Sequence, residues 1–232
     1  MCEAHAPEQE TAGTRRAALL AAVYVLLVLG LDALATQNVQ FPVAWRVLLR
    51  FRPGGFDVFK FVAWFLIPLL CAFPRLDVHA FTFQRWRRMD WYLLAGLAAA
   101  GALAVVVIPL LPGVRETYQG AGSFFSQRRC DAVLWYVSWT FAWLPGWELL
   151  HRYVLLRPWN RWLPRAGWLV VPLSEGIYHL QKAPLEAAGM VALSLVLTLW
   201  ARKRQNVLLP FLVHLAIELE LLVFLLRAAP GG

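Results

Sequence analysis

Apolar runs dominate this chain, among them Ala17–Ala35, Trp91–Leu111, Leu185–Trp200 and Val207–Leu226. No water reaches a backbone amide or carbonyl inside a bilayer, and a helix satisfies each one within its own segment. About 20 apolar residues in helical form cross the hydrocarbon core. Three further apolar stretches, Val58–Phe73, Ala132–Leu156 and Trp168–Leu180, bring the expected total to about seven spans. The fold class read from this pattern is all-α, a polytopic membrane helix bundle.

Composition agrees. The 232 residues are 60% hydrophobic and 16% charged, with twelve Trp and fourteen Phe. Soluble domains run nearer half apolar and a quarter charged, and Trp gathers at the lipid–water boundary. The net charge of +8 sits mostly between the apolar runs, as in Arg85, Arg87 and Arg88 or Arg202, Lys203 and Arg204. Anchoring against anionic lipid accounts for that placement, so the bilayer is the expected partner and nucleic acid is not. With the N-terminus inside, twelve Lys and Arg fall on the inner side and nine on the outer, which favours a cytoplasmic N-terminus.

The chain divides into a polar tail, residues 1–14, expected to be disordered; N-terminal membrane helices within 15–111; and a membrane core, 132–226, forming one domain with the preceding helices. Arg15-Arg16 before a run long enough to span reads as a first transmembrane helix, with Asp32 near its far end. Phe41–Arg50 carries arginines at helical spacing and reads as an amphipathic surface helix. Residues 112–131 form a polar connection with glycines. Pro145-Gly146 should kink or interrupt the fourth span. Cys2, Cys71 and Cys130 are scattered and offer neither a disulfide framework nor a CxxC metal spacing.

Ionisable residues stand inside the last apolar segments, where a charge costs about 2.5–3.5 kcal/mol on the gentlest scale. Glu148 and Arg152 form an i,i+4 pair with the acid first, the better order on a helix. Glu175 and His179 are four apart, so one face could present a carboxylate and an imidazole together. His214 and Glu218 repeat that spacing. Lys182 and Glu186 flank the break Gln181-Lys182-Ala183-Pro184. Such groups on separate apolar helices converge only in the bundle interior.

A carboxylate in an apolar pocket can act as base on a water, and imidazoles can hold that water or donate to an oxyanion. This chemistry suits amide hydrolysis inside the membrane. No Ser or Cys stands beside a base in a recognisable elbow. Two His and a Glu also match a zinc ligand set, but the His-Glu-x-x-His helix is missing, so no cofactor is expected and zinc is the weaker version. A proton relay is the other use of intramembrane Glu and His; no inverted repeat accompanies it.

The order Glu148-x-x-x-Arg152, then Glu175-Gly176-Ile177-Tyr178-His179, then His214-Leu215-Ala216-Ile217-Glu218 resembles the CPBP family. These are the CAAX prenyl-protease and bacteriocin-processing (Abi) intramembrane proteases, which include the Ras-converting endopeptidases. The resemblance covers roughly Ala132–Leu226. It implies a glutamate- and histidine-dependent intramembrane protease with Glu148, Arg152, His179, Glu186 and His214 in the catalytic site. Glu175, Lys182 and Glu218 are secondary candidates. The substrate would be a protein or peptide cut near the membrane. The family pattern opens Glu-Glu-x-x-x-Arg, and here Trp147 replaces the first Glu, which activates water in the family. Glu148, Glu175 and Glu186 all stand as replacements, and a catalytically inactive scaffold or immunity protein is the alternative. A bias towards Ala, Arg and Trp points to the inner membrane of a high-GC bacterium.

Overall fold

The computed structural model describes residues 6–37, 42–107, 110, 129–182 and 184–228, and among these there is helix but no strand. Helix α1 is Ala6–Thr36. Ala6–Thr14 therefore continues the helix where a disordered tail is expected; Glu8, Gln9 and Glu10 are good helix formers. A short α2, Val43–Arg50, matches the amphipathic segment. Then come α3, Val58–Ala72, and α4, Arg88–Val107. The expected polar connection lies mostly outside the described residues. Helix α5, Arg129–Glu148, runs into a π-helical turn, Leu149–Leu155, and on into α6, Leu156–Trp162. The chain closes with α7, Val170–His179, α8, Pro184–Arg204, and α9, Leu208–Ala228.

The described parts of all seven expected apolar segments are largely helical, and among the described residues four helices are by length and composition apolar enough to cross a membrane: Ala12–Thr36, Arg88–Val107, Pro184–Arg204 and Leu208–Arg227. Helix α7 has 10 residues, which reach about 15 Å. Helix α5 carries polar groups that other helices, not lipid, surround. The lipid-facing helices instead expose apolar side chains, such as Leu26, Leu27, Leu70 and Leu103.

Pro145-Gly146 does not interrupt α5, because the backbone stays helical through both residues. Proline removes one ladder hydrogen bond, and the wider π turn follows at Leu149, a distortion often found at functional positions. Gly146 has a packing reason. A Cβ there would lie 2.7 Å from the Trp64 Cβ, so the α5 and α3 backbones meet at this point.

Helix α7 packs along α8, α9 along α4, and α1 along α6. Their shared core includes Val25, Trp64, Trp147, Leu150, Leu197 and Val213. Polar contacts tie one end of the bundle. Arg15 lies 5.8 Å from the centre of the Trp162 ring. Asp77 takes Arg85 at 2.9 Å and Arg157 at 3.2 Å, and Arg204 reaches Asp90 at 3.0 Å.

Asp77 lies outside the spans. Burial pushes its carboxyl up, but the Arg85 hydrogen bond and the charges of Arg85 and Arg157 outweigh it and hold the group below its ordinary 3.8. A depressed carboxyl stabilises the fold above its unfolded value and loses that contribution as pH falls through the folded one. The stability gap between wild type and Asp77→Asn should thus be constant above about pH 4 and close on further acidification. Thermal unfolding in micelles across pH reads this.

Candidate active site

The final turn of α5 presents Glu148, 1% exposed, and the π turn presents His151 and Arg152, 0% and 2% exposed. Arg152 Nε stands 3.3 Å from Glu148 Oε2, the expected i,i+4 pair. The distance suits an ion pair, although neither atom meets hydrogen-bond geometry. The outer fork of Arg152 turns to α7 and grips Glu175: Nη1 donates to Oε1, and Nη2 donates to Oε2 at 3.1 Å. His151 bonds the Trp147 carbonyl at 3.0 Å and Ser174 Oγ at 3.3 Å. On α9, His214 Nδ1 bonds Glu148 Oε1. Three helices of the C-terminal core thereby join through one guanidinium, two carboxylates and an imidazole. One positive charge faces two negative ones, and the uncompensated negative charge lies on the side of His214.

The Glu148 carboxylate is an acceptor, so it fixes His214 as the Nδ1–H tautomer and leaves Nε2 with a lone pair. That Nε2 is buried and has no partner among the described residues. His214 also lines a cavity of about 650 Å³. His179, Lys182, Glu186 and Glu218 line the same cavity, together with Trp64, Trp139, Trp143 and Trp147. Six of the eight candidates from the sequence therefore stand around one space or, for Glu148, directly behind its wall. Arg152 and Glu175 are buried deeper and hold that wall in place.

The two acids that share a helix face with a histidine bond elsewhere. The Glu175 carboxylate does not face His179; it is drawn to Arg152, and His179 Nδ1 instead folds back on the Glu175 carbonyl at 2.8 Å. Glu218 does not pair with His214; it accepts the Tyr136 hydroxyl at 2.5 Å. Glu186 lies 3.8 Å from Lys182, both at the cavity rim. Trp147, in the place of the missing glutamate, is 2% exposed. It packs on Trp64, His151, Tyr178 and His179 with ring centres 4.2–5.8 Å apart. It serves as wall rather than as base.

Sequence reasoning missed a second buried ion pair, Lys60 with Asp32 at 3.2 Å. Asp32 also accepts the Tyr178 hydroxyl at 2.5 Å, and the Lys60 ammonium lies 4.7 Å from the Trp64 ring centre and lines the cavity. The signal was available: two isolated charges of opposite sign on apolar helices need a partner. The pair ties α1 and α3 to α7 one residue before His179. Lys60→Met should cost about 3–5 kcal/mol by leaving Asp32 buried and uncompensated. Asp32→Asn/Lys60→Met should recover most of that loss, as read by thermal unfolding of both proteins.

Among the described residues, no three His, Cys, Asp or Glu side chains group as metal ligands. Residues 129–219 match the family described as Rce1-like, type II CAAX prenyl endopeptidase Rce1-like. No curated protein and no solved structure matches the chain. The matched stretch contains every candidate from Glu148 to Glu218, whereas Asp32 and Lys60 fall outside it. The helical membrane core that carries the site, residues 129–219, is thus similar to the type II CAAX prenyl endopeptidase Rce1-like proteases, in agreement with the resemblance of its motif order.

Proposed function

We propose that the protein is an intramembrane endopeptidase that hydrolyses a peptide bond of a membrane-associated or sorting-tagged substrate. The observation that carries this reading is the unpartnered Nε2 of His214, which belongs to a cavity-lining ring held from behind by Glu148. Glu148 acts through that imidazole. It orients the ring and stabilises the imidazolium that forms when Nε2 takes a proton from water, the logic of a carboxylate–histidine pair. His179 gives its Nδ1–H to the Glu175 carbonyl, so its Nε2 is also an acceptor and can hold the second hydrogen of that water. The hydroxide attacks the scissile carbonyl. The proton on His214 then passes to the departing amine. The cationic donors that line the cavity, Lys60 and Lys182, are available to the oxyanion. Arg152 positions Glu148, and Glu175 positions Arg152. Glu186 sits in an ion pair at the rim and is the second choice as base.

The bias towards Ala, Arg and Trp favours a bacterial inner membrane, and the placement of basic residues favours a cytoplasmic N-terminus. Replacement of the first motif glutamate by Trp147 favours a second reading, an inactive scaffold of the same fold that binds a protein partner.

Mapping protein termini in the membrane fraction of a deletion strain separates the two. The protease reading expects membrane proteins with an uncut tail, restored by the wild-type gene but not by a His179→Ala/His214→Ala gene. Restoration by the double variant overturns it in favour of the scaffold.

A further inference from the structure

We propose that the basic end of the bundle holds a site for the phosphate of an anionic phospholipid headgroup. A second cavity of about 240 Å³ opens there, between α6 and the turn joining α8 to α9; Arg152, Arg157, Asn160, Arg161 and Gln205 line it, and no carboxylate does. It is smaller than a drug-sized pocket and suits a compact headgroup. The guanidinium of Arg157 is already held in place, 3.9 Å from the centre of the Tyr153 ring and 3.2 Å from Asp77. Arg161 is exposed and has no ion-pair partner among the described residues. Asn160 lies between them with its Oδ1 buried and unpartnered. Exchanging the two ends of that amide turns its NH2 inward. The planar forks of two arginines and an amide donor match the paired oxygens of a phosphodiester.

The surroundings point to lipid as the source of that phosphate. Trp159 and Trp162 stand on the same short helix, and Arg15, Arg85, Arg202 and Arg204 gather at this end. Tryptophan and clustered arginine mark the headgroup level of a bilayer, where anionic phosphates are concentrated. The carboxylates close to the lining arginines are Asp77 on Arg157 and Glu148 and Glu175 on Arg152. Arg161 therefore supplies the uncommitted charge. Arg152 is shared: it lines this cavity, and its other contacts hold Glu148 behind His214. A bound phosphate thus meets the ion-pair network of the larger cavity from behind.

The purified full-length protein tests this, independently of any proteolytic activity. Native mass spectrometry with phosphatidylglycerol added to the micelles should show a retained lipid. Phosphatidylcholine at the same level should not be retained. Arg161→Gln and Asn160→Leu should each weaken retention of phosphatidylglycerol about tenfold, the loss expected for one charge-assisted or buried hydrogen bond. Arg46→Gln, on exposed α2, should leave it unchanged. Equal retention of both lipids, or full retention in Arg161→Gln and Asn160→Leu, overturns the proposal. So does protection from heat by inorganic phosphate with none from phosphatidylglycerol, which would assign the pocket to a free anion.

Discussion

His214→Ala should lower peptide-bond cleavage in proteoliposomes by about 10³-fold or more, the upper range for loss of a general base, while the protein inserts and melts close to wild type. Among the described residues the His214 ring bonds Glu148, and its Nε2 has no partner to lose. Alanine there leaves Glu148 with Arg152 as a counter-charge, so the fold survives better than the chemistry does. Glu148→Gln should come close to the same loss. An amide at that position preserves the shape of the carboxylate, but it can offer an N–H as well as a carbonyl to Nδ1. The tautomer is then no longer fixed, and the imidazolium loses its counter-charge. Comparable carboxylate-to-amide changes behind a catalytic histidine cost about 10⁴. Glu186→Gln should leave most activity, because its carboxylate stands at the rim beside Lys182. Single-turnover rates of the three variants, each checked for a folded melting profile, measure these differences.

Arg152→Met should have the largest effect on stability. The substitution leaves Glu148 and Glu175, 1% and 0% exposed, with no guanidinium between them. Removing one partner of a buried ion pair costs about 3–5 kcal/mol, a large share of a typical domain's 5–15. Arg152→Lys should recover only part of this, because one ammonium cannot reproduce a fork that spans carboxylates on two helices. The discriminating variant is Glu148→Gln/Arg152→Met/Glu175→Gln. With no charge left to compensate, it should recover the folded yield and midpoint of the wild type to within a few degrees, yet remain without activity. Fluorescence-detected size exclusion with heating follows all three.

The sequence was informative where interactions are local. Apolar runs located α1, α3, α4, α5, α7, α8 and α9, because a helix that meets lipid must be apolar along much of its length. The spacing of Glu148 and Arg152 was legible because four residues make one turn. At Glu175 the same rule gives the shared face but not the partner. Its carboxylate shares a face with His179, but a guanidinium on the neighbouring helix attracts it more strongly than a neutral ring does. Nothing in spacing joins Asp32 to Lys60, 28 positions apart on two helices; only their shared isolation in apolar surroundings hints at the pair. The contact of His214 with Glu148 was visible as motif order alone, and the cavity that gives it chemical meaning arises when α3, α4, α5, α7, α8 and α9 pack together.

An uncut tail from the deletion strain, supplied to purified protein in ¹⁸O-labelled water, shows whether water activated by the Glu148–His214 pair cuts the peptide bond. A single labelled oxygen is expected in the new carboxylate with wild-type protein, and no product with Glu148→Gln. Cleavage at the wild-type rate by Glu148→Gln, or intact tail with the folded wild-type protein, would contradict that mechanism.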